Sequence, residues 1–261
     1  MTAREGRFQG RRALVTGASR GIGAAVAIQL AAEGADVAIV ARTAERHPTL
    51  NGSLSTTAEQ MKAVGTPGQK VATIIADLAS EADRATIVSA AELALGGPVE
   101  ILVNNAAAAI YQPLAEYPLR RRRLLFEVNV HAPLDLAQAA IPAMRAAGEG
   151  WIVNLSSGTG RMGFTSDNSA LGIYGASKAA LNQLTRALAA ELAGSGIRVN
   201  TVEPRAGVLS EGAAALVNLT EDQLEPMESM VAGVLALCDA PPELTGGIHV
   251  SLDLIGGAVA R

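Results

Sequence analysis

A chain of 261 residues suits one large α/β domain, and 49% hydrophobic against 18% charged residues provides for a sizeable core and excludes a disordered chain. The net charge of −4 excludes a general nucleic-acid surface, and the lone cysteine, Cys238, excludes an internal disulfide or a cysteine metal cluster. Met1–Gln9 is charged and lacks an apolar signal core, and no apolar run approaches the ~18 residues of a membrane span, so a cytoplasmic protein with no membrane partner is expected.

Short β-branched runs alternate with longer Ala/Leu-rich segments along the chain. That alternation predicts βα units around one doubly wound parallel sheet, a single α/β domain over 1–261. The expected strands are Ala13–Thr16, Val37–Ala41, Val71–Ala76, Ile101–Val103, Trp151–Leu155, Ile197–Val202 and Ile248–Ser251. The expected helices are Ile22–Glu33, Ser55–Val64, Glu81–Leu95, Leu119–Ala147, Tyr174–Leu192 and Met227–Cys238. Gly34 and Gly65 follow two of them, where a left-handed cap is expected, and Pro133 and Pro142 should kink or divide the long fourth helix.

In such a sheet ligands bind beyond the carboxyl ends of the strands. After the first strand come Gly17-Ala18-Ser19-Arg20-Gly21-Ile22-Gly23 and then a helix. Glycines let the backbone turn tightly and approach a pyrophosphate, and a helix N-terminus offers free N–H groups. The second strand ends Val40-Ala41-Arg42, so Ala41 stands where an acid would hold a ribose 2′-hydroxyl, and Arg42 suits a 2′-phosphate instead. Arg20 offers a second cation; the alternative is that both are plain surface arginines.

Tyr174 and Lys178, four residues apart, share one face of a predicted helix. A free phenol has a pKa of ~10, and a neighbouring ammonium favours its phenolate. The pair follows Asn154-Leu155-Ser156-Ser157 at the end of the fifth strand.

Together these motifs resemble the short-chain dehydrogenase/reductase family, over nearly the whole chain. The glycine spacing is that family's, and Asn104-Asn105-Ala106-Ala107 is similar to its Asn-Asn-Ala-Gly, with alanine in the last place. The resemblance implies a Rossmann-type, three-layer α/β/α fold. It implies a hydride-transferring oxidoreductase acting on a small-molecule carbonyl or alcohol, with Asn129, Ser157, Tyr174 and Lys178 as the catalytic set. By the same resemblance Gly17, Ser19, Arg20, Gly21, Ile22, Gly23, Arg42, Asp77, Leu78, Asn104, Ala106, Tyr174, Lys178 and Pro204 hold the cofactor, here NADP(H). Ser157 fits the family's Ser-x-x-Gly better than Ser156. Tyr174 would pass the proton while Lys178 lowers its pKa. A homotetramer or homodimer is implied as well. The alternative class is an NADP(H)-binding sensor that keeps the fold and not the chemistry.

Arg205 departs from the family's Pro-Gly after the sixth strand, where it either anchors the substrate or braces the loop. With the long loop over 41–53, this resembles hydroxysteroid-dehydrogenase-like and citronellol-dehydrogenase-like members. Segments 158–173 and 204–226 are expected to cover the substrate. Met162, Phe164 and Leu171 in the first of them suggest a mainly apolar one, unless they pack on helices or a partner subunit. Arg120–Arg123 reads as a solvated helix face or subunit contact. His47, His131 and His249 show no ligand spacing, so no metal is expected; His47 falls near the 2′-phosphate position.

Overall fold

The computed structural model describes residues 6–45, 52–208 and 224–258. Seven strands form one parallel sheet: β1 (Arg12–Thr16), β2 (Asp36–Ala41), β3 (Val71–Ile75), β4 (Ile101–Asn104), β5 (Gly150–Leu155), β6 (Ile197–Glu203) and β9 (Ile248–Val250). Their order is β3-β2-β1-β4-β5-β6-β9, so the winding reverses between β1 and β4 and opens a crevice there. A separate two-stranded ribbon joins β7 (Gly207–Val208) and β8 (Leu224–Glu225).

Two apolar cores flank the sheet. Val26, Ala27 and Leu30 of α1 (Gly21–Ala32), Ala58 and Met61 of α2 (Leu54–Val64) and Met230 and Val234 of α7 (Met227–Leu237) pack with Val15 and Ile39 on one face. On the other, Ile87 and Ala91 of α3 (Glu81–Leu95), Leu136 and Met144 of α5 (Ala132–Ala147) and Ala189 of α6 (Gly172–Glu191) pack with Leu14 and Ile152. This is the expected three-layer arrangement. Cys238 is buried in the first core, as a small hydrophobe.

A polar ladder crosses the middle of the sheet. Asn104, Asn154 and Thr201 are in register on β4, β5 and β6. The Asn104 amide donates to Asn154 (2.9 Å), and Asn154 and Thr201 each donate to the Thr185 hydroxyl of α6 (2.9 Å each). All four are buried, so each bond removes a desolvation cost of about 1–3 kcal/mol.

Three expectations need correction. The fourth helix is three pieces: α4 (Leu119–Phe126), a π turn (Glu127–His131) and α5. Pro133 has no N–H to give the Asn129 carbonyl, and the ladder lengthens just ahead of it, with Ala132 N–H bonding Glu127, five residues back. Pro142 sits inside α5 without dividing it. Gly34 takes the left-handed cap (φ 97), but Gly65 is extended (φ −77), because the Gln69 carboxamide accepts from Thr66 N–H and folds the chain back. Ser251 starts a helix, α8 (Ser251–Ala258), rather than ending a strand. Neither α8 nor the β7–β8 ribbon carries a long enough apolar period to be foreseen. Among the described residues no helix is long and apolar enough to cross a membrane, and no cluster of three His, Cys, Asp or Glu could hold a metal ion.

Candidate active site

The glycine turn lies at the mouth of the crevice. Gly17 (φ 66) and Gly21 (φ 58) adopt the left-handed conformation that favours glycine. Gly17 and Ala18 N–H groups both bond the Val40 carbonyl at the end of β2. From the other side Asn105 clamps the turn, its amide donating to the carbonyls of Thr16 (2.8 Å) and Gly17 (3.2 Å). The packing leaves no room for side chains: a Cβ on Gly17 would lie 2.8 Å from Ala106 Cα, and one on Gly23 would lie 2.2 Å from Asn105 Nδ2. Helix α1 therefore starts close against the turn, with no side-chain cap and no acid in its first turn. Its N–H groups and dipole are free for an anion.

Arg20 ends this turn with its Nε buried and, among the described residues, without a partner. Gly52, beyond β2, packs onto it: a Cβ there would lie 2.5 Å from the Ser19 carbonyl. Ala41 ends β2 and Arg42 follows it, exposed. His47 lies outside the described residues. Asp77 is exposed past β3, while Leu78 is buried and its carbonyl is taken by Arg84. The side chain of Asn104 is engaged in the polar ladder, and Ala106 N–H bonds the hydroxyl of Thr16, the residue before the turn (3.1 Å).

Tyr174 stands in the first turn of α6 and Lys178 one turn further. Lys178 is fully buried, and its Nζ donates to the Leu155 carbonyl at the end of β5 (2.8 Å), 5.7 Å from the centre of the Tyr174 ring. Burial lowers the Lys178 pKa to about 8. Burial, with a smaller contribution from Tyr111, pushes the half-buried Tyr174 phenol well above its ordinary range, and a hydrogen bond with Ser157 offsets part of this. The expected lowering of the phenol by Lys178 is thus not what this geometry gives. The amine is engaged with Leu155, and desolvation of the phenolate is the larger effect.

Ser157 is the serine beside Tyr174, whereas Ser156 is buried with its hydroxyl unpartnered among the described residues. Asn129 sits in the π turn, where its amide bonds both backbone groups of Ala108, accepting at 2.7 Å and donating at 2.9 Å. It also donates to Ser177 Oγ (3.0 Å), which donates to the Tyr174 carbonyl (2.7 Å). Asn129 thus links the loop after β4 to the turn of α6 that carries Tyr174.

Two contributors are not singled out by the sequence, Ser177 as the link and Tyr111 as a wall; Asn105 of the Asn-Asn-Ala-Ala motif acts as the clamp, and Phe164 forms a second wall. The Tyr111 ring meets Tyr174 edge-on, and the Phe164 ring lies 3.1 Å from where a Cβ on Gly175 would be. The chain has only three Tyr and three Phe, so the gathering of three of these six rings here marks the site. Met162 and Phe164 are exposed on the loop between Ser157 and Tyr174. Arg205 braces its loop: its N–H donates to buried Glu225 (2.8 Å) and its guanidinium pairs with Asp253 of α8. Arg120–Arg123 are exposed on α4, as expected, and His131 is exposed too. His249 is half-buried beside Asn200.

Comparison with known proteins agrees with this geometry. The family model described as short chain dehydrogenase matches residues 11–219. L-xylulose reductase of Bos taurus is 34% identical over 97% of this chain and 98% of its own. A Sinorhizobium meliloti structure, provisionally described as a short-chain alcohol dehydrogenase, superposes with a TM-score of 0.80 at 32% identity, covering 97% of this chain and 98% of its own. A 3-oxoacyl (acyl-carrier-protein) reductase of Agrobacterium tumefaciens, solved with NADP bound, gives 0.79 at 28% identity over 93% of each chain. With its fold, its glycine turn and its Tyr174–Lys178 helix in place, the chain belongs to the short-chain dehydrogenase/reductase family.

Proposed function

We propose that this family member is an NADP(H)-dependent oxidoreductase that interconverts a carbonyl and an alcohol on a small, mainly apolar substrate. The observation that carries the reading is the meeting of Ser157, Tyr174 and Lys178 at the carboxyl ends of β5 and α6's first turns, beside the glycine turn.

The residues present fit a dinucleotide. Gly17 and Gly23 stand where no side chain can be accommodated, which keeps the backbone of the turn bare, and the N-terminus of α1 beside it has no side-chain cap. The unpartnered Nε of Arg20, Ala41 in the acid's place and exposed Arg42 support a 2′-phosphate, hence NADP(H). The NADP bound to the Agrobacterium reductase is in keeping with this. When bound, the nicotinamide supplies or takes up the hydride.

The chain's own residues do the rest. Tyr174, its pKa raised by burial, holds its proton at neutral pH and gives it to the carbonyl oxygen as hydride arrives. Ser157 donates a hydrogen bond to the same oxygen as it gains charge. Lys178, kept close by Leu155, places positive charge under the phenol, and Asn129 fixes both the loop after β4 and the turn carrying Tyr174. Segments 158–173 and 204–226 cover the substrate; residues 209–223 of the second lie outside the described residues. Met162, Phe164 and Tyr111 support an apolar ligand. Exposed Leu114, Leu119 and Leu124 around α4 support assembly as a homodimer or homotetramer.

The test is NADPH and NADH oxidation against terpenoid, steroid and acyl carbonyls, set beside small sugars and hydroxy acids. NADPH turnover with a higher kcat/KM for the apolar set is expected. No turnover with any carbonyl would return the chain to a non-catalytic binding role.

A further inference from the structure

We propose that Arg161 and Glu203 are positioning residues: an ion pair that clamps the Ser157 turn onto the end of β6 and holds the Ser157 hydroxyl beside Tyr174. This rests on the roles just given to Ser157 and Tyr174.

Ser157 opens a tight turn over Gly158–Gly160, closed by Gly160 N–H to the Ser157 carbonyl (2.9 Å) and Arg161 N–H to the Gly158 carbonyl (3.0 Å). One side of it rests on α6. A Cβ on Gly160 would lie 3.0 Å from Ala179 N and 3.1 Å from Asn182 Nδ2, so the turn is seated against the helix that carries Tyr174. Elsewhere the loop is loosely packed: a Cβ on Gly158 or Gly163 would meet nothing within 4 Å. What holds its other side is Arg161, whose Nε donates to Glu203 Oε1 (3.0 Å) and whose Nη2 reaches the same oxygen.

Glu203 is the last residue of β6 and only 1% exposed. Leu155 pairs with Val202, so Glu203 falls beside Ser156, the residue before Ser157. Its Oε2 has no protein partner, which makes Arg161 the carboxylate's one partner among the described residues. The pair is therefore asymmetric. An anion fixed in a strand end receives a cation delivered by the loop, and the same contact raises the Arg161 pKa. An ordinary surface ion pair would contribute little, but a buried carboxylate stripped of its only partner is strongly unfavourable, so the loop is drawn to this one position. A turn loosened by even an ångström would take the Ser157 hydroxyl off the line to the substrate oxygen.

The test compares wild type, Arg161→Lys, Arg161→Ala, the double variant Arg161→Ala/Glu203→Gln, and Tyr174→Phe. Steady-state kinetics with NADPH and the best carbonyl are read beside NADPH affinity and melting temperature. Arg161→Ala is expected to lower kcat about ten- to a hundredfold with NADPH affinity nearly unchanged, and Arg161→Lys to recover part of the loss. The double variant should melt closer to wild type, having no orphaned charge, and stay slow. It also carries the kcat readout if Arg161→Ala does not fold. A pair with only a structural role would lower the melting temperature and leave kcat intact, and that result overturns the proposal. If Tyr174→Phe is inactive while the Arg161 variants keep wild-type kcat, the clamp alone fails. An active Tyr174→Phe would remove the reading of the site, and the clamp with it.

Discussion

The ring of Tyr111 meets that of Tyr174 edge-on, with centroids 5.7 Å apart and planes at 73°. An aromatic pair in this geometry contributes about 0.5–1.5 kcal/mol beyond its buried area. Tyr111 also helps raise the Tyr174 pKa. Tyr111→Ala should therefore do two things. KM for an apolar carbonyl should rise several-fold, and the pH at which alcohol oxidation sets in should move down as water reaches the phenol. Tyr111→Phe, which keeps the ring, should leave KM close to wild type and lower that pH only by the smaller charge contribution of the Tyr111 hydroxyl. Initial rates in both directions across pH would show it.

Tyr174→Phe removes the proton donor and keeps the ring. Turnover should fall by about 10²–10⁴-fold while NADPH still binds, as seen by fluorescence titration. A mutant retaining most of the wild-type rate would be incompatible with proton transfer by Tyr174.

Arg42→Ala should weaken NADPH binding by roughly ten- to a hundredfold and leave NADH almost untouched. Arg20→Ala should act in the same direction. Wild-type affinity that is equal for the two cofactors would rule out phosphate selection at this position.

Lys178 gives a sign that can be checked in the protein alone. Its folded pKa is lowered to about 8, below the ~10.4 of an unfolded lysine. Between those values the unfolded chain binds more protons, so stability should rise with pH. The cost of burying the charged amine is fully present below pH ~8 and is relieved above it, by up to about 3 kcal/mol. Urea unfolding of wild type and Lys178→Met from pH 7.5 to 9.5 should show an upward slope in the first and a flatter one in the second.

Gly23→Ala should destabilise although alanine is the better helix former by about 1 kcal/mol. Its Cβ would meet Asn105 Nδ2 at 2.2 Å and the Gly17 carbonyl at 2.6 Å, so the clamp must open. Overpacking of this kind costs about 1–3 kcal/mol, and NADPH affinity should fall with the melting temperature.

The central strands were legible because a parallel strand covered on both faces reads as an apolar run, and β1, β4, β5 and β6 are buried almost throughout. The glycine turn was legible because it directly follows β1, and the Tyr174 helix because Tyr174 and Lys178 stand four apart at the start of a long apolar-periodic run. The π turn was not: it depends on Pro133 and on Asn129 finding the Ala108 backbone, a contact between residues 21 apart. Gly65 was misread because its conformation follows from Gln69, which a capping rule does not consult. Tyr111 and the Arg161–Glu203 pair had no signal at all. Each depends on strand ends brought together by the fold, and spacing along the chain does not encode that. The raised Tyr174 pKa was missed for the same reason, since helical periodicity places an ammonium near a phenol but says nothing of how dry the phenol is.

The ladder of Asn104, Asn154, Thr185 and Thr201 also limits how this chain can be recombined with its relatives. Its hydrogen bonds join three strands and a helix, so sliding any one strand by a residue would bury unsatisfied amides, although the apolar residues of these strands are buried on either face. The four positions work as a lock whose parts are interchangeable only as a set. A chimera that imports β5 alone from a relative lacking the asparagine should be less stable than one that imports β4, β5, β6 and α6 together, even when every imported segment is equally apolar.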